Sequence, residues 1–240
     1  MAKLNEDNIY GLIQNLLGKE HDISILQEVI DVDTQMAYFD HVHQQGKAFM
    51  AEELSAVEAK LNDSTTDLDG LRNILVCLAI TPKVKAYRIL EQFAERAEGE
   101  IHSWAIMAFQ ESRVHIQSSL GEQPHALISS GMGGEGHRLR YFVVVQPGSA
   151  TMFSEPQKAI LEKELNFSLN KVDSLLEHII YYDGFACLTV LIPLQISLPN
   201  LFNEVIESCN LLGGFLSEKM IITNVKALEE AEVRSILSKG

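Results

Sequence analysis

The residues of this 240-residue chain best suited to hold a ligand are Gly131-Met132-Gly133-Gly134-Glu135-Gly136, followed by His137, Arg138 and Arg140. The glycines match G-x-G-x-x-G, a pattern that binds a dinucleotide when it opens a helix whose N-terminus meets the pyrophosphate. Here the glycines run into a strand-like stretch, so the dinucleotide reading fails. Kinase-type phosphate binding would need V-A-I-K, H-R-D and D-F-G segments, and none follows in usable order. Two readings stay open. One is a tight connection ahead of a strand. The other is an anion-binding loop formed by Gly131, Gly133, Gly134 and Gly136, its backbone N–H groups assisted by His137, Arg138 and Arg140. The segment is the one local reversal of an acidic charge pattern.

Other candidate chemistry is thinner. Asp40-His41-Val42-His43 is the densest histidine group, but on a helix residues two apart point about 200° apart and cannot share an ion. His102 and His115 are too distant on one helix to do so, and no H-E-x-x-H or C-x-x-C occurs, so no metal is expected. Cys187 lies within an apolar run and Cys209 near a helix end, where thiols are commonly structural. Glu177 and His178 alternate on an edge strand, and Asp183 belongs to a turn. No G-x-S-x-G or paired carboxylates inside an apolar strand are present, so no catalytic residue and no cofactor are assigned, and the chain reads as a non-enzyme.

The formal charge is −14. Residues 1–120 carry 10 basic and 19 acidic groups, and residues 121–240 carry 9 and 14, so neither half offers a basic surface. Nucleic acid would be repelled over most of the molecule. There is no apolar run near the length of a membrane span and no apolar leader at the N-terminus, so no membrane association is expected. The three scattered cysteines suggest reduced thiols and a cytoplasmic protein.

These residues must be positioned by two kinds of element. Residues 1–121 read as an all-helical domain. Leu68, Leu71, Ile74, Leu75 and Leu78 share one helix face, with Thr66 as the expected cap and Gly70 weakening that end. Thr81-Pro82 is expected to open the next helix, with Val84, Tyr87, Leu90, Phe93 and Ala97 inward. A third follows Gly99, with Trp104 in its core face. Segments 8–17, 22–31, 35–45 and 47–62 also read as helices. Lys85-Ala86-Tyr87-Arg88-Ile89-Leu90 through Trp104-Ala105-Ile106-Met107-Ala108-Phe109, with small residues at Ala105 and Ala108, resembles HEAT-type helical repeats over residues 83–118. That resemblance implies a protein-binding surface.

From residue 122 to 240 the texture becomes α+β. Residues 139–145 read as a strand, Ser154 and Gln157 as a capping box, Leu175–Tyr182 and Phe185–Leu194 as strands joined at Asp183-Gly184, and Leu201–Cys209 as a helix. Met220–Val225 is the last strand and Leu228–Leu237 a terminal helix. The order β-α-β-β-α-β over residues 137–227 resembles the ferredoxin-like fold. The strand from Phe185 is apolar on both faces, so a second cover is expected beyond the two helices. The candidates are the helical half, residues 126–130 or a second copy. The chain therefore reads as a protein-interaction or scaffold protein with protein partners, self-associating as a homodimer. The alternative is a small-molecule or anion sensor built on the glycine-rich loop.

Overall fold

A computed structural model describes residues 22–45, 53–120, 125–148 and 152–239. The chain is mixed helix and sheet, and its contacts divide it into a unit of Lys19–Ser129 and a unit containing Ser130–Gly240.

In the first unit β1 (Asp22–Ile25) precedes α1 (Val32–Gln45), α2 (Leu54–Leu61), α3 (Leu68–Ala79), α4 (Val84–Ala94) and α5 (Glu100–Leu120), and β2 (His125–Ile128) closes it. The helices bury Tyr38, Leu75, Leu78, Leu90 and Met107 completely or nearly so, and both α3 and α4 pack on α5. Two expected caps move. Asp67, not Thr66, caps α3, its carboxylate accepting from the Gly70 N–H at 2.8 Å. A Cβ at Gly70 would lie 2.8 Å from that carboxylate oxygen, so the glycine makes room for the cap rather than weakening it. The Thr81 hydroxyl instead donates back to the Cys77 carbonyl, and α4 starts only after Lys83; Val84, expected inward, is 63 % exposed.

The expected helix over 22–31 is not formed. Asp22–Ile25 pairs in parallel with His125–Ile128, and the Leu26 N–H extends the ladder to the Ile128 carbonyl. A four-residue strand has too little local pattern to identify itself, and its partner lies a hundred residues away. The expected helix over 8–17 lies outside the described residues.

The second unit holds β3 (Gly134–Glu135), β4 (Arg138–Pro147), α6 (Glu155–Lys171), β5 (Leu175–Tyr182), β6 (Phe185–Pro193), α7 (Leu198–Leu211), β7 (Leu216–Thr223) and α8 (Glu230–Leu237). β4 and β6 pair at the centre. β5 lies outside β6, while β7 and the short β3 share the other edge of β4, all antiparallel. The capping box holds: Ser154 N–H donates to Gln157 Oε1 at 2.9 Å, and α6 begins there.

Alternate residues of the central strands feed two cores. Val143, Val145, Ala186, Leu188, Val190 and Ile192 pack against Leu161, Leu165 and Leu169 of α6 and Leu201, Phe202 and Val205 of α7. Phe142, Val144, Phe185 and Cys187 face the other way and meet Met132 and Val233 of α8, with Leu228 and Leu237 at the margin. The second cover is thus supplied inside this unit by its own C-terminal helix, which was not among the covers expected. That helix carries few apolar residues to announce the role, and only Val233 is fully buried.

Candidate functional site

The glycine-rich loop folds as a turn followed by a hairpin. Gly133 N–H donates to the Ser130 carbonyl at 3.2 Å, and Met132 N–H to the Asn224 carbonyl at 3.2 Å. The Gly133 carbonyl then accepts from Arg140 N–H at 3.0 Å and from the Ser130 hydroxyl at 3.2 Å. Gly134 and Glu135 pair with Leu139 and Arg138 across a two-residue turn whose first central residue, Gly136, sits at φ +59°. A glycine in that place is what a type II′ hairpin requires. Gly131, Gly133 and Gly134 are buried. Much of the loop's backbone polarity is therefore committed to holding its own shape.

The basic side chains are brought together, and each meets a carboxylate. Arg138 Nε donates to the Asp173 carbonyl and Arg138 Nη2 to Asp173 Oδ1, both at 2.5 Å, while His137 Nε2 lies 2.8 Å from Asp173 Oδ2. Arg140 grips Glu177 with two nitrogens at 2.6 and 2.9 Å and donates a third bond to the Met132 carbonyl at 2.9 Å. Paired geometry of this kind is the strong form of an arginine–carboxylate contact. Arg138 holds the Asp173 carboxyl below the usual carboxylate range, with His137 assisting, and Glu177 raises the Arg140 pKa.

The two acidic partners are placed by backbone irregularities. Asp173 follows the end of α6 at φ +54°, the only described non-glycine residue in the left-handed region, and Ser174 N–H returns to the Leu169 carbonyl at 2.9 Å as in a helix C-cap. Glu177 is the extra residue of a bulge between Leu176 and His178. Leu175, Leu191 and Arg140 stand abreast on β5, β6 and β4, so the Arg140–Glu177 pair links two strands separated by β6, on which Leu191 is 1 % exposed. Glu177 and Asp173 carried no sequence signal for this role, since their partners lie 37 and 35 residues away.

The other candidates separate. His41 and His43 both lie on α1 but turn apart: His41 Nε2 lies 2.8 Å from Asn73 Oδ1 and edge-on to Trp104, and His43 Nδ1 lies 2.7 Å from the Phe39 carbonyl. Burial pushes the thiol pKa up at all three cysteines, to about 11 at Cys187 and about 12 at Cys209, which disfavours the nucleophilic thiolate. Further polar contacts join other residues. Tyr38, fully buried, donates to Glu111 Oε2 at 2.5 Å, and Glu111 Oε1 faces His115 Nε2 at 3.7 Å. Ser24 Oγ meets His125 Nε2 at 2.7 Å, tying β1 to β2. No helix among the described residues is long and apolar enough to cross a membrane.

No family model matches this chain, and no curated protein matches it. Among solved structures it is similar to a candidate transposase from Deinococcus radiodurans, at TM-score 0.38 and 12 % identity over 44 % of this chain and 93 % of that one. It is also similar to a homoserine dehydrogenase from Thiobacillus denitrificans, at TM-score 0.27 and 16 % identity, over 55 % of this chain and 30 % of that one. At these scores neither likeness bears on what this chain does.

Proposed function

We propose that the protein is a non-enzymatic interaction or scaffold protein that binds partner proteins through its helical unit and also associates with itself. The observation that carries the first part is an outward apolar stripe on α1. Met36 and Phe39, three residues apart on that helix, are 54 % and 37 % exposed. Large apolar side chains grouped on one helix face favour a partner's surface over water. The test is capture from native extract with the tagged full chain and with a Met36→Glu/Phe39→Glu variant. The reading expects proteins retained by the wild type and lost by the variant; identical sets overturn it.

The strand order β7-β4-β6-β5, antiparallel throughout with α6 and α7 on one face, supports reading the second unit as ferredoxin-like. The successive helices α3, α4 and α5 support the HEAT-type reading of the first.

The alternative, an anion-sensing regulatory protein built on Gly131–Gly136 with His137, Arg138 and Arg140, is favoured by one observation. His137 and Asp173 keep 59 % and 64 % of their side chains exposed, so an incoming anion can take the place of the Asp173 carboxylate. Phosphate and nucleotide titrations against wild type and Arg138→Ala/Arg140→Ala test it, and absence of binding ends it.

A further inference from the structure

We infer that two copies of this chain join edge to edge through β5, antiparallel about a two-fold axis at Ile180, making one sheet continuous across both. The inference rests on the self-association part of the reading above and not on partner binding.

β5 is the outermost strand beyond β6, and among the described residues it pairs with β6 alone. Sheet edges are normally guarded by charge, proline or bulges. On β5 the one carboxylate, Glu177, is turned to Arg140, and the one bulge lies at Leu176/His178. Beyond it, His178–Tyr182 is a regular five-residue ladder without proline, glycine, lysine or carboxylate.

That stretch is self-complementary about its middle residue. Ile180 points away from the α6–α7 face, opposite Cys187, and is 51 % exposed. Its neighbours are anchored: the Tyr181 hydroxyl reaches Glu162 at 3.1 Å, and Tyr182 stacks on Phe185 at 5.0 Å. A two-fold at Ile180 sets it against its own copy, Ile179 against the second Tyr181, and His178 against the second Tyr182. Each pair lies on one face of the joined sheet, and aromatic and β-branched residues meet, which are favourable cross-strand pairs. A copy carrying −14 is repelled over most of this surface. A stretch with no carboxylate is where a like-charged copy approaches at least cost, and it offers nothing to select a basic strand instead.

The test is analytical ultracentrifugation of the full chain over a range of concentration, with Ile180→Lys, Ile180→Cys and, as control, Leu211→Lys at an 88 % exposed apolar site on α7. Far-UV circular dichroism confirms that each variant folds. The wild type and Leu211→Lys are expected at twice the 26.8 kDa chain mass, and Ile180→Lys at the chain mass. Ile180→Cys is carried in a Cys187→Ala background, because Cys187 of the same chain stands directly opposite position 180 on β6; oxidised, it is expected to run as a covalent dimer, since directly opposed Cα atoms fall within disulfide range. A dimer that survives folded Ile180→Lys, with no Ile180→Cys cross-link, overturns β5 pairing while leaving self-association standing. A wild type monomeric at every concentration overturns both and leaves partner binding through α1 to its own test.

Discussion

At the scale of single residues, the second unit concentrates its ionic contacts where the glycine-rich loop meets the end of α6 and the start of β5. Arg140 and Glu177 are each about four-fifths buried and doubly bonded. Removing the guanidinium leaves a carboxylate with reduced access to water and no partner. Arg140→Ala is therefore expected to cost about 1.5–3 kcal/mol in urea denaturation. Arg140→Ala/Glu177→Ala should lose less than the two single variants summed, because the double change leaves no orphan. In the first unit, Glu111 beside His115 raises the imidazole pKa above its ordinary value, against the opposing effect of burial. A raised folded pKa gives stability that is full below about pH 6.5, the unfolded value, and lost as pH rises through the folded value. Thermal unfolding across that range should show a decline in the wild type that is smaller in His115→Gln.

At the scale of elements, the β3–β4 hairpin and α8 make separate demands. Gly136 has φ +59°, and a methyl group added there would meet no atom within 4 Å, so a side chain faces strain but no clash. Gly136→Ala and Gly136→Asn are both expected to cost about 1–2 kcal/mol, because the first central position of a type II′ turn lies outside the left-handed helical region that asparagine tolerates and is served by glycine alone. A thermal-denaturation series reads this directly; a markedly smaller cost for asparagine would mean the turn relaxes to type I′. Helix α8 holds its place through Val233 and through Arg234, which lies over the Phe185 ring and donates to the Asp183 carbonyl at 3.1 Å. Val233→Asp should release the helix and uncover Phe142, Phe185 and Cys187. The expected readout is faster alkylation of Cys187, with Cys209, buried on α7 in the other core, unchanged as the internal reference.

At the scale of the whole molecule, net charge opposes the proposed pairing of copies. With −14 on each copy, pairing should strengthen as added salt screens repulsion, the Debye length falling from about 30 Å at 0.01 M to about 8 Å at physiological ionic strength. Sedimentation at the two salt levels would show it, and a dimer that weakens with salt would point to an interface held by ion pairs instead. Local chemistry made much of the second unit legible in advance. β5 occupies the expected Leu175–Tyr182, β6 ends one residue short of expectation, and the Ser154/Gln157 box starts α6, because strand propensity, turn residues and caps act within a few positions. The same reasoning brought His137, Arg138 and Arg140 together beside the glycines. Three things had to await the tertiary structure. Asp173 and Glu177 claim those basic groups, β1 finds β2 across the helical unit, and α8 covers the second face of the sheet. Each joins segments far apart in sequence, where neither periodicity nor spacing carries a record of which surfaces meet.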